Sequence, residues 1–232
     1  TLLKLYQPLM NSFLSSVDCI VASSPNYAES SPVLTRFKHK VRVVPYGLDR
    51  ETYPKPSAEK LEFWRSRLGE RFFLFVGALR YYKGLDYLLE ATRSTQLPVV
   101  ILGGGHLEAE LRMQASQLGL SNVHFLGGLP DDDKAALLTL CYAFVFPSHL
   151  RSESFGISLL EGAMYGKPMI SCEIGSGTTY INIAGETGLV VPPRDAVALA
   201  AAMNQLWNQP QIAVSMGEAA QRRFEAVFSS DS

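Results

Sequence analysis

Cysteine and histidine are scarce in this chain of 232 residues, which contains three cysteines and four histidines. The cysteines, Cys19, Cys141 and Cys172, have apolar neighbours and no Cys-x-x-Cys spacing, which argues against a disulfide framework. The histidines form no ligand motif, which argues against a zinc site. We therefore expect reduced, buried thiols and a cytosolic protein.

An excess of charge and a long apolar run are also missing. The net charge is −1 and the pI about 6.4, so no global field would recruit nucleic acid or an anionic membrane. No apolar run reaches the roughly 20 residues of a membrane span. The hydrophobic share of 47% and the length allow a core of normal size. The chain begins with Thr1 instead of Met and has no signal-peptide pattern, so we expect a fragment or processed product.

What the chain does contain is a regular alternation of apolar runs and helical periods. Residues 17–23 and 41–46 read as strands around a helix at 26–37, after a helix-like stretch at 2–13. Further strands are predicted at 72–76, 98–102, 123–126, 143–146, 169–172 and 188–191. Helices are predicted at 58–68, 84–94, 107–118, 131–140, around Glu161, at 195–207 and at 211–227. This order predicts βαβ units and a parallel sheet.

The alternation also suggests how the chain is divided. Residues 1–50 cannot form a complete sheet alone, so they read as the C-terminal remnant of a preceding domain. Residues 51–70 form a proline-bearing linker and a helix. Residues 71–228 form the main α/β domain.

Four sets of polar or glycine residues follow predicted strands directly. They are Arg80 and Lys83, the turn Gly103–Gly105, the pair Gly127 and Gly128, and the stretch from Ser148 to Glu153. Ligands of parallel sheets bind at the carboxyl ends of the strands. We therefore expect these four loops to line one crevice.

The most informative motif is Glu-Ser-Phe-Gly-Ile-Ser-Leu-Leu-Glu, residues 153–161. If Ser154 or Ser158 begins a helix, Glu153 lies at the helix mouth, where unpaired N–H groups attract phosphate. Glu161 then lies about two turns further along, in an apolar stretch where an unpaired carboxylate is expensive. Ligand hydroxyl groups would relieve that cost. The plainer alternative is one acid favoured by the helix dipole and one surface acid.

The other loops allow two interpretations each. Arg80 and Lys83 suit a diphosphate, or they belong to a solvated turn. Gly103–Gly105 cradles phosphate or makes a tight turn, and Gly127 with Gly128 forms a wall for a nucleobase or an ordinary turn. The loop 175–179 is expected to be mobile, and either closes over a ligand or only connects two elements.

In combination these motifs resemble the retaining glycosyltransferases of family 4, which have the GT-B fold. The resemblance rests on residues 153–161, Lys83-Gly84, Gly103–Gly105 and Thr187-Gly-Leu-Val-Val-x-Pro193, and it covers residues from about 17 to the C-terminus. It implies a Rossmann-like donor-binding domain, with a parallel sheet and helices on both faces, after the end of an acceptor domain.

The resemblance also implies roles for individual residues. Glu153 would contact the donor sugar, Glu161 the ribose, and Arg80 with Lys83 the leaving diphosphate, which makes Glu153, Arg80 and Lys83 the catalytic set. Where the family usually has Arg directly after the strand-ending glycine, this chain has Ala78, so Arg80 would replace it. The remaining donor-binding residues would be Ser154, Phe155, Gly156, Ile157, Gly127 and Gly104. No cofactor and no divalent metal are expected.

The sequences of several segments, such as residues 24–33 and 171–178, are similar to those of bacterial mannosyl- and rhamnosyltransferases of O-antigen assembly, which use GDP-sugars. The implied acceptor is a lipid-linked glycan, and the implied location is cytoplasmic, on the inner face of the membrane. Two alternatives stay open: a UDP- or ADP-glucose-using synthase of the same fold, and a donor-binding fragment without turnover. An NAD-dependent dehydrogenase is disfavoured because Gly77-Ala-Leu-Arg80 is not a Gly-x-Gly-x-x-Gly turn.

Overall fold

The computed structural model describes residues 2–230, with side chains from Tyr6 onward; Thr1, on which the expectation of a fragment rests, lies outside that part of the chain. The helices are α1 (Leu2–Ser16), α2 (Pro25–Ser30), α3 (Ala58–Leu68), α4 (Leu85–Thr95), α5 (Glu108–Gln117), α6 (Asp131–Leu140), α7 (Ile157–Met164), α8 (Thr178–Ile181), α9 (Ala196–Asn208) and α10 (Pro210–Val227). The strands are β1 (Ile20–Ala22), β2 (Val41–Val43), β3 (Phe73–Val76), β4 (Val99–Leu102), β5 (Val123–Gly127), β6 (Ala143–Phe146), β7 (Met169–Cys172) and β8 (Gly188–Val191). Short 3₁₀ helices cover Leu34–Lys40, Arg50–Thr52 and Tyr81–Lys83.

Six strands form one parallel sheet in the order β5-β4-β3-β6-β7-β8. Every residue of β3, β4, β6 and β7 is buried, because helices cover both faces of the sheet. One core contains apolar residues of α4, α5 and α9. The core on the opposite face contains residues of α3, α6, α7 and α10. The predicted α/β class, with a parallel sheet between two helical layers, is confirmed.

The N-terminal region differs from the prediction in three details. The predicted helix at 26–37 is wrong as one element: α2 ends at Ser30 and a 3₁₀ helix follows from Leu34. Pro32 explains the break, because the residue before a proline is disfavoured in the helical region, and Ser31 is extended. The strands β1 and β2 are both shorter than the predicted 17–23 and 41–46, and Val21 of β1 is 63% exposed. Cys19, just before β1, is exposed, so the prediction of three buried thiols is wrong for this one.

Among residues 2–230, the strands β1 and β2 pair only with each other, in parallel, and both lie before residue 50. Between them and α3 the chain crosses the C-terminal tail: Leu48 donates its N–H to the carbonyl of Phe228 at 2.9 Å. Ser57 then caps α3 by accepting a hydrogen bond from the N–H of Lys60. The boundaries proposed at residues 50 and 70 stay a prediction.

Candidate active site

The loops that follow β3 and β6 meet at the middle of the sheet. β3 pairs with β4 on one side and with β6 on the other, so the strand order reverses at this point. In α/β proteins the crevice outside the carboxyl ends of such strands is the usual ligand site. Gly84 allows the two loops to touch: its φ is +69°, and a Cβ there would lie 2.2 Å from the carbonyl oxygen of Pro147.

Lys83 and Glu153 form an ion pair where these two loops meet. The Lys83 Nζ lies 2.5 Å from Glu153 Oε2, and each residue is only 9% exposed. Ser148 donates its hydroxyl to the same carboxylate oxygen at 3.2 Å. The ammonium group also lies 4.8 Å from the centre of the Phe146 ring, within the range of a cation–π contact. The pair therefore places a buried cation beside a buried carboxylate where the strand order reverses.

The helix that follows Glu153 begins between the two expected starts. Neither Ser154 nor Ser158 begins the helix; α7 begins at Ile157, with Gly156 as its cap in a left-handed conformation (φ 104°). The intervening Phe155 is 2% exposed and packs edge-on against Tyr46 at 5.2 Å. Burial of this ring and the positive φ of Gly156 shape the chain between Glu153 and α7. No side chain caps α7, which leaves its first N–H groups without a side-chain acceptor.

Glu161 lies on α7 and is 5% exposed, as its apolar neighbours predict. Its charge is compensated by the protein itself, whereas the sequence interpretation looked to a ligand. Tyr53 donates its hydroxyl to Glu161 Oε1 at 2.8 Å, and Lys134 donates to the same oxygen at 3.0 Å. Both of these contacts involve the same carboxylate oxygen, Oε1.

Sequence reasoning missed Tyr53 and Lys134. Burial and the nearby Glu161 carboxylate raise the pKa of Tyr53, which therefore stays a hydrogen-bond donor. Burial works against the charged form of Lys134, but attraction to Glu161 outweighs it, and the pKa of Lys134 is raised. Lys134 could have been suspected from its place in the first turn of a helix that follows a strand. Tyr53 lies in a proline-bearing segment and gave no such signal.

Arg80 is not brought to the Lys83–Glu153 pair. It is exposed on the outer side of its loop, where it borders a cavity with Glu110 and Gln114 of α5. The two cations that the sequence grouped together therefore face different surroundings. Lys83 points into the crevice, and Arg80 lies beside α5.

The glycines after β4 and β5 divide into two groups. A Cβ on Gly103 would lie 2.1 Å from the carbonyl oxygen of Gly77, and one on Gly105 would lie 2.6 Å from the carbonyl oxygen of Leu79. These two glycines are required by the close approach of neighbouring loops, which favours the tight-turn interpretation for them. A Cβ on Gly127 or Gly104 would meet no atom closer than 3.7 Å. The open side of the rim is thus at the two glycines that were predicted to contact the donor.

The loop 175–179, expected to be mobile, is held by several contacts. Arg151 donates to the carbonyl of Gly175 at 2.7 Å and also to the hydroxyl of Ser30 in α2. Asn26 donates to the hydroxyl of Thr179 at 3.1 Å. Ser176 is fully buried. The loop therefore joins the crevice side of the sheet to the small β1–β2 unit.

The described residues contain neither a metal-binding cluster nor a membrane-spanning helix. Within residues 2–230, no group of three or more His, Cys, Asp or Glu side chains is arranged to hold a metal ion. No helix in the same range has the length and apolar character needed to cross a membrane.

The described residues form a parallel α/β domain with a buried ion pair where the strand order reverses. The sequence profile of the family described as "Glycosyl transferases group 1" matches residues 57–223. The chain therefore belongs to this glycosyltransferase family, which confirms the resemblance found in its motifs.

Two curated proteins match almost the whole chain. The D-rhamnosyltransferase WbpZ of Pseudomonas aeruginosa is 63% identical over 227 residues, which is 98% of this chain and 60% of that protein. The O-antigen chain mannosyltransferase C of Escherichia coli is 55% identical over 230 residues, 99% of this chain and 62% of that protein. The chain thus spans about three fifths of the length of these relatives.

Solved structures show the same architecture. A sucrose-phosphate synthase from Thermosynechococcus elongatus superimposes with a TM-score of 0.85 at 26% identity, over 98% of this chain and 58% of that one. WaaG, a glycosyltransferase involved in lipopolysaccharide biosynthesis, superimposes with a TM-score of 0.68 at 20% identity, over 85% and 54% of the two chains. The likeness to WaaG concerns the fold alone. The expected GT-B fold is confirmed.

Proposed function

We propose that this chain is the donor-binding part of a retaining glycosyltransferase that acts in bacterial O-antigen synthesis. The enzyme transfers mannose or a rhamnose-type hexose from a GDP-linked donor to a lipid-linked glycan. The names of the two curated relatives support the sugar and the process. The observation that carries the site assignment is the buried Lys83–Glu153 pair where the strand order reverses.

In this proposal the donor diphosphate binds beside Lys83 and the uncapped N-terminus of α7. Both favour anions: the ammonium by its charge, and the helix end by its unpaired N–H groups and dipole. As the bond between the anomeric carbon and the phosphate oxygen breaks, negative charge develops on the leaving group. Stabilisation of that charge by groups already in place is the main electrostatic contribution to such a reaction.

Glu153 then contacts the donor sugar, and Glu161 accepts hydrogen bonds from the ribose. The acceptor oxygen forms its bond on the face that the diphosphate leaves, and the departing phosphate takes the acceptor proton, so the anomeric configuration is retained. Phe155 and Gly156 contribute backbone N–H groups to the sugar or phosphate, with Ser154 and Ile157 beside them. Gly104 and Gly127 lie along the open rim near the nucleotide.

The role of Arg80 in diphosphate binding is a separate part of the proposal. Its side chain would have to turn from α5 toward the crevice when the donor binds. An Arg80→Ala variant of the full-length enzyme is expected to bind the donor more weakly. Unchanged donor affinity would refute this role.

We also propose that the reaction needs neither a cofactor nor a divalent metal, and that the protein works in the cytoplasm, peripherally on the inner face of the membrane. Transfer activity that is unchanged by EDTA would support the first statement. Loss of activity that Mg²⁺ or Mn²⁺ restores would contradict it.

Calorimetric titration of the full-length protein with GDP, UDP and ADP, followed by transfer assays with the matching sugar nucleotides, tests the function. Preference for GDP and transfer from GDP-mannose or GDP-rhamnose are expected. Preference for UDP or ADP would favour a glucose-using synthase of the same fold. Binding without transfer would indicate a donor-binding module, and no nucleotide binding would overturn the whole proposal.

A further inference from the structure

The segment just before α3 packs against the second half of α7. Arg50 donates from Nη1 to the carbonyl of Met164 at 3.0 Å, and its guanidinium lies 6.0 Å from the centre of the Tyr165 ring. The ring of Tyr53 packs edge-on against that of Tyr165, with centroids 6.3 Å apart. These contacts hold the segment beside Glu161, although the segment itself is part of neither α6 nor α7.

Within this arrangement, Tyr53 and Lys134 share one oxygen of Glu161. The hydroxyl of Tyr53 donates to Oε1 at 2.8 Å, and the ammonium of Lys134 donates to it at 3.0 Å. A carboxylate oxygen has about two acceptor positions, so both positions of Oε1 are filled. The remaining acceptor capacity of this buried carboxylate is on Oε2.

The two donors differ in what they supply. Lys134 is a point charge on a flexible stem, and it also contacts Asp131 at 3.3 Å, so it compensates the charge of Glu161 without fixing its orientation. Tyr53 carries its hydroxyl on a rigid ring that Tyr165 packs against. The orientation of the carboxylate therefore depends on Tyr53.

We propose that Tyr53 is a positioning residue for nucleotide binding: it fixes the Glu161 carboxylate so that Oε2 accepts hydrogen bonds from the ribose hydroxyl groups. This inference rests on the proposed function, which assigns the ribose to Glu161. It adds that the linker segment before α3 completes the ribose site. Tyr53 itself makes no contact with the nucleotide.

The test compares GDP with 2′,3′-dideoxy-GDP, which lacks the ribose hydroxyls, by calorimetry on the full-length wild-type protein and the Tyr53→Phe variant. The wild type is expected to bind GDP roughly 10- to 100-fold more tightly than the dideoxy compound, since hydrogen bonds to a charged group are lost. The variant is expected to bind GDP about 5- to 10-fold more weakly than the wild type does. Its affinity for the dideoxy compound should stay within about twofold of wild type, because the orientation of Glu161 no longer matters.

Tyr165→Phe is the matched control, since its ring packs beside Tyr53 while its hydroxyl makes no hydrogen bond within residues 2–230. It should leave both affinities unchanged. If Tyr53→Phe lowers the affinities for GDP and for the dideoxy compound by the same factor, Tyr53 has a purely structural role and the inference is overturned. The inference is also overturned if the variant binds GDP as tightly as the wild type does. If the wild type discriminates between the two ligands but the variant discriminates just as well, the inference fails and the proposed function stands. If the wild type binds no nucleotide, both fail.

Discussion

Loss of one partner of the Lys83–Glu153 pair should destabilise the protein, and loss of the second partner should restore part of that stability. The Lys83→Met variant keeps the apolar stem but removes the cation that lies 2.5 Å from the Glu153 carboxylate. The side chains of Lys83 and Glu153 are only 11% and 12% exposed. Breaking a buried pair from one side costs about 3 to 5 kcal/mol, because an uncompensated charge stays buried. The hydroxyl of Ser148 still donates to this carboxylate, so we expect about 3 kcal/mol.

In the double variant Lys83→Met/Glu153→Gln no charge is left unpaired. Replacement of both partners of a buried pair by neutral groups is often nearly neutral, so we expect a total cost of about 1 kcal/mol. Glu153→Gln should thus stabilise the Lys83→Met protein by about 2 kcal/mol, which is a gain of roughly 4 to 8 °C in Tm for a domain of this size.

Urea and thermal unfolding of the single and double variants measure this double-mutant cycle. Lys38→Met, at an exposed lysine, is the control, with an expected change within about 0.5 kcal/mol. Two results would show that the charges are not coupled as the geometry implies. One is a double variant whose loss of unfolding free energy equals the sum of the two single losses; the other is a Lys83→Met protein as stable as the control. Lys83 and Glu153 would then not be the coupled buried pair on which the site assignment rests.

Three further outcomes follow from the described geometry. Gly103→Ala should lower the free energy of unfolding in urea by more than about 3 kcal/mol, because the new Cβ would lie 2.1 Å from a backbone carbonyl oxygen and the φ of Gly103 is +128°. Gly119→Ala is the control: its φ is +69° but the space around it is open, so it should lower this free energy by only about 1 kcal/mol. Equal losses in the two variants would contradict the close contact at Gly103. Iodoacetamide at pH 8 should label the exposed Cys19 and leave Cys141 unmodified, because Cys141 is buried and burial raises the pKa of its thiol from 9.0 to about 11. Peptide mass spectrometry measures the labelling of each cysteine, and labelling of Cys141 in the folded protein would contradict this prediction. The same raised pKa means that the contribution of Cys141 to stability is complete below pH 9 and is lost as the pH rises toward 11, so a Cys141→Ala protein should show a flatter loss of stability over that range.

The regular part of the fold could be predicted from local sequence. The helix at 131–140 and the strands at 143–146, 169–172 and 188–191 coincide with α6, β6, β7 and β8. Each strand is a short apolar run that must be buried on both faces, and each helix has an apolar stripe, so short windows determine them. The same reasoning failed at 26–37, where the effect of Pro32 on its neighbour outweighed a helical pattern.

The candidate site was only partly predictable for a different reason. The strand-end positions predicted that the loops after β3 and β6 meet, because the carboxyl ends of parallel strands share one edge, and Lys83 and Glu153 do meet there. Spacing along the chain does not reveal the direction of a side chain in a loop. It therefore grouped Arg80 with Lys83, although the two lie in different surroundings.

Periodic patterns and motifs within single segments were enough to predict the family, the parallel sheet and the edge at which a ligand crevice is expected. Which charges meet depends on how the whole chain packs. Lys83 pairs with Glu153 across 70 residues, and Tyr53 with Glu161 across 108. A buried charge must find a partner wherever the packed chain brings one within hydrogen-bond distance, and no local pattern encodes that distance.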